Sequence, residues 1–526
     1  MSSCAATLQR NNSTENIRLS LQGEQMPTFV DPLLRALQVA PERTAIIADG
    51  QRTSYRELVR RCRSLAAALY GLGARPGDRI AILSMNSPQY IETYLTVPAA
   101  GCVIVPLNTR HAEPELRYAV NDAGAKILLT DRDPGGLADL VEAVIRMPEE
   151  YESLIDTAGE AELGIGVEED TLAGLFYTGG TTGASKGVML THRNLVSNAF
   201  HFMTVSPPDP DAVVLVMAPL FHAAGTNAVL GSVWAGSCQI PLAAFSPATA
   251  LDLIEEYGVT DTLGVPAMLA AISELQHAEP RDVSSLRRIG HGGSPVATEV
   301  VRRAHEAFPT AEFLHVYGAT ETSPLLTGLR NEQQWLDVDR GRSCGQALIG
   351  VRVRIVDPDG HDVPRGEIGE LVAKGPNVMI GYWNKPEQTA AALNDGWYHS
   401  GDLGYMDEEG YIFLVDRAKD MIVSGGENVY CSEVEEILYR HPAVLEAAVF
   451  GIPDEKWGEA VHAVVVPREQ VTAEELIRFC RDSIAAYKLP KSVTFSDTEL
   501  PKSGPGKILK RELRAPFWQG HKSRII

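Results

Sequence analysis

Long hydrophobic runs are missing from this 526-residue sequence. Apolar stretches such as Leu95 to Leu107 are broken by proline, glycine or polar residues, short of the roughly 20 residues that cross a bilayer. The first 26 residues are polar, without the apolar core of a secretory leader. Paired cysteines are missing too: Cys4, Cys62, Cys102, Cys238, Cys344, Cys431 and Cys480 lie far apart, with no C-x-x-C and no neighbouring histidine ligands. Such spacing predicts reduced, mostly structural thiols. Positive charge is also scarce, with 47 Lys and Arg against 68 Asp and Glu and a net charge of −21. No basic stripe offsets it, which excludes a protein that binds chiefly nucleic-acid phosphates. Repeats and low-complexity tracts are absent. What remains is the composition of a globular cytoplasmic protein, 44% hydrophobic and 22% charged, with a large core available. Its length suits several domains, or one large domain with a smaller companion.

From about Met26 to Glu321, short apolar runs alternate with helical patterns, as in stacked α/β layers. The runs are Arg79 to Leu83, Val103 to Leu107, Lys126 to Thr130, Leu172 to Thr178, Val213 to Met217, Thr260 to Pro266 and Glu312 to Gly318. Ser54-x-x-Glu57 reads as a capping box, followed by Leu58, Cys62, Leu65, Ala66 and Leu69 at helical spacing. After about Asn331, the runs Val351 to Val356, Gly369 to Ala373 and Tyr411 to Val415, separated by Asp-rich turns, predict an antiparallel β-rich subdomain. Beyond Asp416 the pattern is helix Ser432 to Arg440, strands Glu446 to Phe450 and Val461 to Val466, helix Thr472 to Ala486 and strand Ser492 to Phe495. The predicted organisation is a large unit over 1–415, β-rich from about 331, a hinge at 416–420 and a small α+β unit over 421–526.

The sharpest motif is Tyr177 to Gly187, YTGGTTGASKG. Glycine backbone, the hydroxyls of Thr178, Thr181 and Thr182, and the charge of Lys186 suit a phosphate cradle; a surface turn is the plainer alternative. The order is not that of a Walker P-loop, because Gly187 follows Lys186. HVYGATETSP, His315 to Pro324, sets the Thr320 hydroxyl beside the Glu321 carboxylate, which could hold Mg²⁺. YHSGDLG, Tyr398 to Gly404, places Asp402 in a glycine-flanked turn, where it could accept from a ribose or simply form an Asx turn. Arg417 and Lys419 stand at the composition break, Glu427 follows a glycine pair, and Lys507 sits on a Gly-Pro-Gly loop.

In order and spacing these segments resemble the adenylate-forming superfamily, which includes acyl-CoA synthetases, nonribosomal-peptide adenylation domains and beetle luciferase. The resemblance spans about Phe29 to Leu513 and is greatest to fatty-acyl or aryl CoA ligases. It implies an AMP-forming ligase that joins ATP to a carboxylic acid, giving acyl-adenylate and pyrophosphate, then passes the acyl group to CoA. An amine acceptor, giving an amide, is the alternative. It further implies that Thr178, Gly179, Gly180, Thr181, Thr182, Gly183 and Lys186 hold the outer phosphates and Thr320 the α-phosphate. Glu321 would bind Mg²⁺, Asp402 and Arg417 the ribose, and Tyr317 the adenine, with Gly293, Ser294 and Gly318 also at the nucleotide. Lys507 would bridge the substrate carboxylate and α-phosphate, Lys419 would be the hinge, and Glu427 would join the thioester-forming geometry.

Phe221 and His222 correspond to the superfamily's gate beside the substrate carboxylate. FHAAG offers no acid for an α-ammonium, which favours an uncharged acyl or aromatic acid. Gly225, Gly292 and Gly293 are expected to leave room there. Lys456, Arg468 and Lys488 are candidate CoA contacts, and the absence of a carrier domain favours a diffusing acceptor. Oligomeric state stays open, with a homodimer allowed. Gly179, Ser185 and Pro505 depart from common superfamily patterns without removing a charged group. Gly341-Arg-Ser343-Cys-Gly345 matches the nucleophile elbow of serine hydrolases, but it lacks a strand before and a helix after. An interaction protein with a degenerate site is disfavoured because every charged site residue is present.

Overall fold

The computed structural model describes residues 26–178, 185–294, 296–417, 420–454, 456–481, 483–502 and 508–519. Two large sheets carry most of the chain before residue 350. In the nine-stranded sheet, Glu312–Tyr317, Arg288–Gly292, Asp261–Gly264, Val213–Val216, Cys238–Pro241 and Thr44–Ala48 run parallel, with antiparallel strands at both edges. In the seven-stranded sheet, Arg79–Leu83 pairs in parallel with Val103–Pro106 and Ala125–Thr130. Apart from Arg79, Lys126 and Thr130 near their ends, these central strands are apolar because layers cover both of their faces.

Helices Val30–Val39, Tyr55–Gly71, Pro88–Ala99, His192–Val205 and Ala224–Ala235 fill the space between the two sheets. Their buried faces join Ile46 and Val216 of one sheet to Ile80, Ile104 and Phe176 of the other in a single core. Separate clusters cover the outer faces. Ser54 caps Tyr55–Gly71, its Oγ accepting from Glu57 N at 3.2 Å. Glu57 pairs instead with Arg60 at 2.7 Å, so only half of the expected capping box forms. An acid on helix Pro88–Ala99 is locked inside: Glu92, 1% exposed, meets Arg61 at 2.7 Å and accepts from the Tyr151 phenol at 2.6 Å. Burial lifts its carboxyl above the usual range although Arg61 pulls it back.

Arg352–Val356, Gly369–Lys374, Trp397–Met406, Leu393–Asn394 and Ile412–Arg417 form an antiparallel sheet, as the turn spacing predicts. A fourth sheet, built on the long pair Val444–Asp454 and Gly458–Pro467, packs with helices Cys431–Tyr439 and Ala473–Arg481 around its own core. That last helix is shorter than the expected Thr472 to Ala486. Residues 486–488 instead form a short 3₁₀ turn, so Lys488 stands outside the helix. The six described cysteines are free and buried; Cys4 lies outside the described residues. Among the described residues, no helix is long and apolar enough to cross a membrane.

Candidate active site

The glycine-rich motif joins two antiparallel strands, Leu172–Thr178 and Lys186–Thr191, with Thr178 directly opposite Lys186. Ser185 Oγ donates to Thr178 O at 2.6 Å across its base. Gly179, Gly180, Thr181, Thr182 and Gly183 lie outside the described residues, as do Lys419 and Lys507. Lys186 Nζ stands 4.6 Å from the ring centre of Tyr382, whose phenol donates to Glu321 Oε1 at 2.8 Å. Burial and the Glu321 carboxylate both raise the Tyr382 phenol, so it remains a donor. The loop lysine and the candidate Mg²⁺ ligand are thereby joined through one tyrosine. Sequence reasoning missed Tyr382, which comes from Gly381–Tyr382, a two-residue strand paired with Lys186–Thr191.

Thr320 opens the 3₁₀ turn Thr320–Thr322 just beyond strand Glu312–Tyr317. Gly318 has to be glycine, since a Cβ there would lie 1.8 Å from Pro324 O. Tyr317 Oη donates to Asp402 Oδ2 at 2.6 Å, and Arg417 Nε lies 3.3 Å from Asp402 Oδ1. Burial, then Asp402, raise the Tyr317 phenol. Asp402 is not in a turn as expected but within strand Trp397–Met406, directly opposite Arg417. Pairing with neighbours on both sides draws the polar, glycine-containing segment into the sheet, and Ser400 Oγ pins it to Leu371 O at 2.6 Å. Tyr317, Asp402 and Arg417 therefore form one contiguous group.

The Phe221 and His222 rings lie 4.4 Å apart in the turn before helix Ala224–Ala235. Asn86, also missed, holds this turn: its Nδ2 donates to Val216 O at 3.1 Å and Ala218 O at 3.0 Å, and its Oδ1 accepts from Leu220 N at 2.8 Å. Its only sequence sign was a polar residue after a buried strand. Two of the three glycines expected to leave room do not. A Cβ on Gly225 would meet Leu220 Cδ2 at 2.9 Å, and one on Gly292 would meet Val316 O at 2.2 Å, so both serve close backbone packing. Gly293 fits the expectation of space, with φ of +83° and nothing nearer than Val265 at 3.8 Å. Ser294 follows it, half-buried.

Glu427 is exposed on strand Glu427–Val429, and the structure does not gather it with the groups above. Arg468 pairs with Glu274, Lys488 meets Glu433 at 2.7 Å, and Lys456 lies 4.6 Å from the Trp457 ring. The hydrolase-like motif packs a sheet edge: Ser343 is fully buried, and a Cβ on Gly345 would lie 2.0 Å from Gly328 O. The arrangement around Lys186, Glu321 and Asp402 is one of cations and hard oxygens, suited to a nucleoside triphosphate and a magnesium ion.

The chain matches the AMP-binding enzyme family over residues 33–383 and the AMP-binding enzyme C-terminal domain over residues 433–507. It is 41% identical over 489 residues to a feruloyl-CoA synthase of an Amycolatopsis species, covering 92% of this chain and 98% of that protein. A fatty acid–[acyl-carrier-protein] ligase, ScoC of Streptomyces coeruleorubidus, is 35% identical, covering 95% of this chain and 98% of its own. ATP-bound MatB from Rhodopseudomonas palustris superposes with a TM-score of 0.86 at 32% identity, covering 94% of this chain and all of that one. MenE from Bacillus subtilis, solved with the acyl-adenylate OSB-AMP, gives 0.83 at 32% identity, covering 93% and 98%. The chain therefore belongs to the AMP-binding enzyme family of the adenylate-forming superfamily, as an AMP-forming acid–thiol ligase.

Proposed function

We propose that this chain activates a carboxylic acid whose body is uncharged and largely apolar with ATP and passes the acyl group to coenzyme A. The observation that carries this is the convergence of two groups, Lys186–Tyr382–Glu321 and Tyr317–Asp402–Arg417, on segments flanking the same strand end at Tyr317. The first offers a cation and a carboxylate for phosphates and metal; the second offers a carboxylate and a guanidinium for a ribose. The turn that carries Phe221 and His222 holds no acid for an ammonium, which supports a substrate without an α-amino group. The first-named relative, a feruloyl-CoA synthase, supports an aryl acid and CoA as acceptor. Reduced, buried cysteines support a cytoplasmic location.

A carboxylate is a poor electrophile toward a thiol, and its attack on phosphorus brings two anions together. Positioned positive charge must offset that repulsion as electrons move to the leaving pyrophosphate. Lys186 and the 179–184 loop hold the outer phosphates, Thr320 donates to the α-phosphate, and Lys507 bridges the α-phosphate and the acid. Asp402 accepts from the ribose hydroxyls with Arg417 beside it, Tyr317 flanks the adenine, and His222 and Phe221 orient the carboxylate. Glu321 would hold Mg²⁺, which spreads positive charge over the phosphate oxygens. Its fit rests on a hard carboxylate oriented by the Tyr382 phenol at 2.8 Å. The segment 416–420 is the hinge between a large unit over 1–415 and a small one over 421–526. Two bonds near the hinge, from Cys431 N to Asp416 Oδ2 at 2.6 Å and from Ser432 Oγ to Val415 O, support it as a tethered pivot. Rotation there would withdraw Lys507 and bring Glu427 toward the acyl-adenylate for thiol attack.

The test follows pyrophosphate and acyl-AMP over fatty, aromatic and dicarboxylic acids with Mg-ATP, with and without CoA, then with amines. CoA-dependent AMP release from an aryl or fatty acid is expected. Consumption of acyl-AMP by amines alone would replace the acceptor.

A further inference from the structure

Helix Glu113–Ala123 packs behind the strands that carry the glycine-rich loop. Its last turn holds Asp122, a carboxylate where the helix dipole disfavours negative charge. The carbonyls at that helix end already have a cation: Arg79 donates from Nε to Ala123 O at 2.7 Å and from Nη2 to Gly124 O at 2.9 Å. Asp122 thus does not serve its own helix, and its contacts lie elsewhere.

Asp122 reaches two strands at once. Its Oδ2 accepts from Tyr177 Oη at 2.8 Å, and its main-chain oxygen accepts from Trp383 Nε1 at 3.0 Å. Burial, then the Asp122 carboxylate, raise the Tyr177 phenol, which keeps it a donor. Lys385 Nζ stands 3.7 Å from Oδ1, outside hydrogen-bonding reach, so the phenol is the closer partner. Tyr177 lies directly opposite Gly187, and Trp383 N donates to Gly187 O at 2.8 Å. The three residues form a row across Leu172–Thr178, Lys186–Thr191 and the end of Gly381–Tyr382, which are neighbours in the sheet. A Cβ on Gly187 would lie 3.1 Å from the Tyr177 ring and 3.4 Å from Trp383 Cβ, so a side chain there would press the row apart.

This row is on the face away from the site. Side chains alternate between faces, so Lys186, one residue before Gly187, and Tyr382, one before Trp383, point the other way. Tyr382 accordingly packs with the core between the two large sheets, while Tyr177 and Trp383 pack with the outer cluster. Asp122 therefore acts from behind: it does not touch a nucleotide held at Lys186, but it sets where Lys186 and Tyr382 stand.

Resting on the ligase reading above, we propose that Asp122 is a positioning residue that holds Lys186 and Tyr382 in register for the outer phosphates of ATP. Loss of its carboxylate frees the Tyr177 side of the row, while the group around Asp402, carried by other strands, keeps its place.

Equilibrium binding of Mg-ATP and of AMP, measured by calorimetry on the full chain without an acid, separates this role from general packing, because AMP has no outer phosphates. In Asp122→Ala the Kd for Mg-ATP should rise about 10-fold, as expected when a hydrogen bond to a charged group is lost, while that for AMP stays within about 2-fold of wild type. Asp122→Asn keeps an acceptor for the phenol and should recover most of the loss. Tyr177→Phe removes the same bond from the other side and gives the same reading should Asp122→Ala not fold. Unchanged Mg-ATP binding in both Asp122→Ala and Tyr177→Phe would overturn the proposal, and so would equal losses for Mg-ATP and AMP, which mark a loosened fold; either result leaves the ligase reading intact. A folded wild type that binds neither nucleotide would overturn the ligase reading itself, and this inference with it.

Discussion

Tyr317 illustrates how one side chain links two motifs that lie 85 residues apart. Its phenol orients Asp402, so Tyr317→Phe should leave the ring against adenine and free the carboxylate. A hydrogen bond to a charged group is worth about 1.5–3 kcal/mol, so the KM for ATP should rise roughly 10- to 100-fold in steady-state assays. An unchanged KM would separate the phenol from ribose binding. Lys507→Ala should suppress adenylation while sparing thioester formation from supplied acyl-AMP; equal loss of both half-reactions, measured separately, would contradict that division. Residues in short contiguous motifs, such as Thr320, Glu321 and Asp402, could be named as candidates from the sequence alone. Tyr382 and Asn86 were not, because each acts on a partner brought near by the fold: Leu220 lies 134 residues from Asn86.

At the scale of elements, strands buried on both faces announced themselves as continuous apolar runs, and Leu172–Thr178 was placed to the residue. Strand Trp397–Met406 was hidden, since YHSGDLG reads as a turn until sheet neighbours supply its hydrogen bonds. Gly225 and Gly292 misled for a related reason. From sequence, a glycine that leaves room and a glycine that permits close packing look alike. Helix Pro88–Ala99 carries the buried Glu92 into the core between the sheets, held by Arg61 from helix Tyr55–Gly71. Arg61→Met would leave that carboxylate unpaired, and breaking a buried pair typically costs about 3–5 kcal/mol. Chemical denaturation should show a midpoint drop with an unchanged slope, and Arg61→Met/Glu92→Gln should recover much of it. No drop in the single variant would mean that Tyr151 alone suffices.

Across the whole molecule, burial pushes His192, His201, His315 and His462 down to about 4. In the unfolded chain these imidazoles take up protons below about pH 6.5, while folded they stay neutral until about pH 4. The unfolded state therefore binds more protons across that window, and stability falls as pH drops through it. The melting temperature should decline between pH 7 and pH 5. His192 Nδ1 accepts from Phe29 N at 3.2 Å, and His192→Asn, which keeps an acceptor but cannot titrate, should decline less steeply. Parallel curves would exclude His192 as a contributor.

The order of strands in the two large sheets was beyond reach of the sequence, because the chain leaves each sheet and returns to it much later: Thr44–Ala48 pairs with Cys238–Pro241, and Lys186–Thr191 with Gly381–Tyr382. The residues that line the cavity beside helix Ala224–Ala235 likewise run from Phe202 to Leu314, and so the pocket was less legible than the nucleotide motifs. The most direct test of the whole account is a single-turnover experiment with Mg-ATP and the aryl or fatty acid that gives the fastest pyrophosphate release, quenched before and after CoA is added. Acyl-AMP should accumulate with one pyrophosphate per enzyme, then disappear as acyl-CoA and AMP form. Active-site-titrated protein that releases no pyrophosphate and forms no mixed anhydride with any acid would contradict it.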